Sequence, residues 1–154
     1  MCKLNNVESI NKNNEVVIDE ILKQTEYLAQ LNSIIEEPHN IRFFKNPTEE
    51  MKLAAVTKDG NTIQYIENPT DKMKMIAVAD TGLALQYIKD ATYDMEKVAV
   101  KQNGFAIKYV KEQTDELSLL AVRQQPLAIC NIENPSEELK SFAIKNDIRA
   151  IGLV

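Results

Sequence analysis

The chain has 154 residues, 44% apolar and 27% charged, which suits one globular domain with a substantial core and excludes wholesale disorder. A net charge of −5 argues against a protein that holds nucleic acid by overall attraction. With 4 Gly, 5 Pro and no Trp it lacks the turn residues and aromatics of a β-sandwich, and no apolar run approaches the roughly 18 residues of a membrane span.

Residues 1–14, "MCKLNNVESINKNN", are polar and Asn-rich and are expected to form a mobile tail without the apolar core of a secretory signal. Cys2 and Cys130 form neither a metal-ligand spacing nor a disulfide framework, so reduced thiols and a cytoplasmic location are expected. Residues 15–45 read as an N-terminal capping helix merging into a degenerate repeat. Val17, Ile21, Leu28, Leu31 and Ile35 make an amphipathic stripe that Pro38 ends. Over residues 24–45, Leu31, Ile34, Ile41 and Phe43 fall where the following units have apolar residues.

Residues 46–154 are five units with a period of 22, starting at Asn46, Asn68, Asp90, Glu112 and Asn134. The third position carries Thr48, Thr70, Thr92, Thr114 and Ser136, hydroxyls suited to a helix N-cap. Acidic residues follow, at the positive end of the helix dipole, and Pro47, Pro69 and Pro135 precede the cap. A stripe at helical spacing comes next, as in Met73, Ile76 and Ala77, and its last member is always Ala: Ala55, Ala77, Ala99, Ala121, Ala143. Gly60, Gly82 and Gly104 then read as left-handed helix ends. A short second apolar set, such as Ala84, Leu85 and Ile88, allows one or two further turns. The period of three to four excludes strands. The expectation is an all-α fold: a short α-solenoid of five to six helix–turn–helix rungs, because one hairpin cannot bury its own stripe and stacked copies can.

The strings "NPTEEMKLAAV", "VAVKQNGFAIKYVK" and "NPSEELKSFAIK" resemble a family of short helical repeats of unknown function found in bacteria, phages and large viruses. The resemblance covers roughly residues 46–154 and implies an α-helical repeat, often in a viral or mobile-element setting. It transfers no catalytic residues. The chain departs from the pattern at Pro126 and Ile148, in place of the turn glycine, and at Asn131, in place of the tyrosine.

No catalytic, cofactor or metal site is expected. His39 is the single histidine and has no Cys/His cluster near it in sequence, Cys130 occupies a position expected to be partly exposed, and the paired carboxylates are explained by helix starts. Two surface features carry functional expectations. Phe43, Tyr65, Tyr87 and Tyr109 share one unit position and form an aromatic column, serving either as inter-rung packing or as a recognition ridge. Lys97, Lys101, Lys108 and Lys111 crowd the third unit, either as a solvated face or as a basic patch. The end of the sequence, with Ile148, Ile151, Leu153 and Val154, is a candidate for homodimer contact. The leading functional expectation is a non-enzymatic protein-binding module. The resemblance points further, to a phage- or mobile-element-encoded inhibitor of a bacterial defence system such as a CRISPR effector. The alternative is a nucleic-acid-binding repeat using the Lys/Tyr surface of residues 68–111.

Overall fold

Five rungs start in the same way, and the cap is the reason. The hydroxyls of Thr48, Thr70, Thr92, Thr114 and Ser136 accept from the backbone N–H of Met51, Met73, Met95, Leu117 and Leu139, three residues on. The caps open five helices of 10 residues each: α2 (Glu49–Lys58), α3 (Asp71–Asp80), α4 (Tyr93–Gln102), α5 (Asp115–Gln124) and α6 (Glu137–Asn146). Before them runs α1 (Cys2–Glu36). A six-residue 3₁₀ segment follows each helix: η1 (Pro38–Phe43), η2 (Gly60–Tyr65), η3 (Gly82–Tyr87), η4 (Gly104–Tyr109), η5 (Pro126–Asn131) and η6 (Ile148–Leu153). This computed structural model describes the backbone of residues 2–154 and the side chains of residues 15–154.

The chain is an all-α repeat solenoid. Helix α2 touches α3, α3 touches α4, and so on to α6, while the 3₁₀ segments stack in a parallel series from η1 to η6; among the described residues no element reaches beyond the neighbouring rung. The alanine that closes each stripe is fully buried in all five rungs. Val56, Val78, Val100 and Val122, one residue further on, are buried as well. A helix between two rungs is covered from both sides, so it buries more than one stripe.

The turn glycines correct the expectation of a left-handed helix end, since no glycine among the described residues has positive φ. The helix instead leaves through one extended residue, such as Thr81 at φ −133 and ψ 99, whose N–H still reaches the Ala77 carbonyl. Glycine is needed for close approach. A Cβ on Gly60, Gly82 or Gly104 would lie 2.5, 2.3 or 2.5 Å from the carbonyl oxygen of Ala77, Ala99 or Ala121 in the next rung. The left-handed conformation falls instead to Asn68 and Asn134, at φ 51 and 52, each before a proline. Asn tolerates that region better than most side chains.

The degenerate repeat is a true rung. Ile34 of α1 and Ile41 of η1 are buried in one cluster with Met51 and Ala55, and Tyr27 and Leu31 pack on it. Among the described residues of α1 only this end packs on the stack. Of the expected stripe only Leu31 packs on the first rung; Val17, Ile21, Leu28 and Ile35 are exposed, because the helix runs past the rung and presents Tyr27, Leu31 and Ile34 to it. The expected tail over residues 1–14 has its backbone within α1 from Cys2; its side chains and Met1 lie outside the described residues.

Candidate interaction surface

The aromatic column forms on the 3₁₀ side, at the last position of η1 to η4, and its four rings are not equivalent. Phe43 is 70% exposed, and the Arg42 guanidinium sits 4.6 Å over its ring. Tyr65 is half-buried on the first-rung cluster, with His39 edge-on at 5.9 Å between ring centres. Tyr87 is 40% exposed. Tyr109 is half-buried, its hydroxyl donating to Gln86 Oε1 at 3.3 Å and the Lys108 ammonium lying 4.7 Å over its face. Two rings therefore serve packing and two project.

The four lysines do not converge to the same degree. Lys97 donates to Glu116 of the next rung, a carboxylate that also accepts from the Tyr93 hydroxyl at 2.7 Å. The Lys97 bond, then the Tyr93 bond, holds the Glu116 carboxyl below its usual range, and the same carboxylate raises Lys97. Lys111 Nζ donates to the Ala91 carbonyl at 2.7 Å. Lys101 and Lys108 remain exposed without an ion pair among the described residues.

A third column, not among the sequence expectations, occupies the seventh unit position: Lys52, Lys74, Glu96, Ser118 and Lys140. Lys74, Glu96 and Ser118 are buried. Lys74 Nζ reaches Asp90 of the next unit at 2.7 Å and Asp71 at 3.1 Å. The Asp90 bond raises the Lys74 ammonium against the opposing effect of burial, and the Asp90 carboxyl is lowered in return. Glu96 accepts from the Lys111 backbone N–H at 3.0 Å. Ser118 is too short for such a span, and Gln113 substitutes for it. Its amide accepts from the Glu133 N–H at 2.7 Å and donates to the Asn131 and Ile107 carbonyls at 2.8 and 3.2 Å. The signal was present in the sequence as the single Gln where other units have Pro or Ala. Gln113→Ala is expected to cost about 1–3 kcal/mol by stranding these backbone groups, read as a shift in the denaturant midpoint at unchanged slope.

A groove of about 520 Å³ opens between α5 and α6, lined by Ser118, Leu119, Ile132, Glu133, Leu139 and Phe142 among others. Cys130 is exposed, more so than the partial exposure expected of it. His39 lies in η1, with its Nδ1 3.6 Å from Asp59 Oδ2. At the last rung Ala150 is buried while Ile148, Ile151, Leu153 and Val154 are exposed, so the self-association candidates form an uncovered apolar end. Among the described residues no group of three or more His, Cys, Asp or Glu could hold a metal, and no helix is long and apolar enough to cross a membrane.

Comparison with protein-family models, curated proteins and solved structures gives no match to this chain. The arrangement offers surfaces: a column of four rings, of which Phe43 and Tyr87 project and Phe43 and Tyr109 carry a cation over the face, and an apolar last rung.

Proposed function

We propose that the chain is a non-enzymatic protein-binding module that docks a partner protein on its 3₁₀ side. The observation that supports this best is Phe43, a phenylalanine 70% exposed at the head of the aromatic column with Arg42 over its ring. Exposed aromatics and arginine are the residue types that anchor protein interfaces, and Tyr87 presents a second exposed ring two rungs on. A stacked solenoid carries such anchors on one extended face. The resemblance of the repeats supplies the setting: a phage- or mobile-element-encoded inhibitor whose partner belongs to a bacterial defence system such as a CRISPR effector.

Affinity capture from the native host, with the wild-type chain and the Phe43→Ala/Tyr87→Ala double variant, tests this reading. The wild type is expected to retain one protein through a high-salt wash, and the variant to lose it by about tenfold or more for each ring. Equal retention by both chains would overturn the ridge.

The nucleic-acid alternative has Lys101 and Lys108 free to meet phosphate, while Lys97 and Lys111 are held by Glu116 and the Ala91 carbonyl. Binding that collapses with salt and is lost in Lys101→Ala/Lys108→Ala, but kept in the aromatic double variant, would favour it.

A further inference from the structure

We propose that α1 pairs with α1 of a second copy of this chain as a parallel, two-stranded coiled coil. The pair forms a stem from which two solenoids project. The proposal is independent of the aromatic ridge.

Every described residue of α1 from position 15 to position 26 is exposed, yet the stretch is rich in aliphatic side chains. Val17, Ile21 and Leu28 are 55%, 59% and 54% exposed. Their spacing is that of a heptad. Taking Ile21 as an a position, the a series is Val7, Asn14, Ile21, Leu28 and Ile35, and the d series is Ile10, Val17, Gln24 and Leu31. A repeat of 3.5 residues is the signature of a left-handed supercoil, and globular packing does not require it. The members before position 15 are placed by spacing in the sequence alone, on a helix whose backbone runs from Cys2.

The pattern also identifies the occupant of this face. A lone Asn at an a position sets register and strand number in a coiled coil of like chains, and Asn14 stands there. In a parallel pair, g meets the following e′ of the other helix, so Glu20 faces Thr25 and no like charges oppose. In the antiparallel pair that matches Asn14 with Gln24, Glu20 would face Glu20. The antiparallel partner would also run its N-terminal end into the first rung, where Tyr27, Leu31 and Ile34 are already engaged. The parallel stem ends near Leu28, where α1 turns Leu31 into its own rung. At on the order of 100 Å² per aliphatic side chain, Val17, Ile18, Ile21 and Leu28 of two copies would cover roughly 800 Å². That is close to the about 1,000 Å² of a specific interface before the N-terminal heptads are added.

Sedimentation equilibrium across a dilution series of the full chain tests the proposal. The expected mass is twice the 17.4 kDa of one chain. Ile21→Glu, and independently Val17→Glu, should weaken the dimer by about a hundredfold or more while leaving the helical circular dichroism of the rungs intact, because both side chains are exposed in the single chain. With Cys2 and Cys130 replaced by Ser, Val17→Cys should oxidise to a symmetric disulfide-linked dimer, since parallel pairing puts the two positions side by side. A monomeric wild type at the highest soluble concentration overturns the proposal. So does a dimer that survives both glutamate variants, or one that Leu153→Glu dissociates instead. Failure of the Val17→Cys chains to cross-link overturns the parallel pairing.

Discussion

Ala77→Asp is expected to unfold most of the chain. Ala77 is fully buried in α3, which lies between α2 and α4, and its carbonyl oxygen sits against Gly60 of the preceding rung. An aspartate there buries a carboxylate between packed helices and forces the rungs on either side of α3 apart. The cost is several kcal/mol against a total stability of about 5–15 kcal/mol. Because each rung is held by its neighbours, a break in the middle leaves two short stacks that each lose a covered face. The measurement is helical circular dichroism at neutral pH with a denaturant titration. A variant with wild-type midpoint would mean that the rung register is wrong.

Gly82→Ala is expected to destabilise by about 1–3 kcal/mol, an effect opposite in sign to that of an unconstrained glycine. At negative φ, a glycine kept only for chain freedom gains about 0.4–1 kcal/mol when replaced by alanine. Gly82 has no such room, because the added methyl would meet Ala99 O at 2.3 Å and Gln102 Oε1 at 2.9 Å. Its N–H also donates to that same Gln102 oxygen at 2.7 Å, so the shift breaks a hydrogen bond between rungs. Gly152→Ala is the control, with nothing within 4 Å of the added carbon and a change within about 0.5 kcal/mol. Thermal or denaturant midpoints of the two variants decide it, and a stabilised Gly82→Ala would refute close approach.

The repeat and its caps were legible because they depend on neighbours in the chain. A hydroxyl at a fixed distance before a stripe bonds the same N–H in the five rungs from α2 to α6, whatever surrounds it. What depends on adjacent rungs was not legible. The requirement for glycine at positions 60, 82 and 104 could be read, but its cause could not, since close approach to the next alanine carbonyl and a left-handed turn select the same residue. The buried valines were missed for a related reason: an amphipathic stripe describes one covered face, and an interior helix has more. The stripe of α1 was legible as a stripe, yet Val17, Ile21 and Leu28 stay more than half exposed among the described residues.

The candidate surface was half legible. Shared register placed Phe43, Tyr65, Tyr87 and Tyr109 in one column. Which rings project is decided by local partners that register does not reveal, such as His39 beside Tyr65 and Gln86 beside the Tyr109 hydroxyl. The lysine cluster was legible as a count of charges, whereas the carbonyl of Ala91 and the carboxylate of Glu116 that hold two of its members come from other units.

Native-state amide hydrogen exchange of the full chain, resolved by residue, tests most directly the claim that six rungs are coupled only to their neighbours. Protection should be greatest in α3 and α4, fall through α2 and α5, and be least in α6 and η6, because end rungs are covered on one side. The N–H groups of Thr81 and Asn103, bonded to Ala77 and Ala99, should be among the slowest. Protection in α6 equal to or above that in α4, or slow amides in the alternating pattern of a strand, would contradict the stacked-rung account.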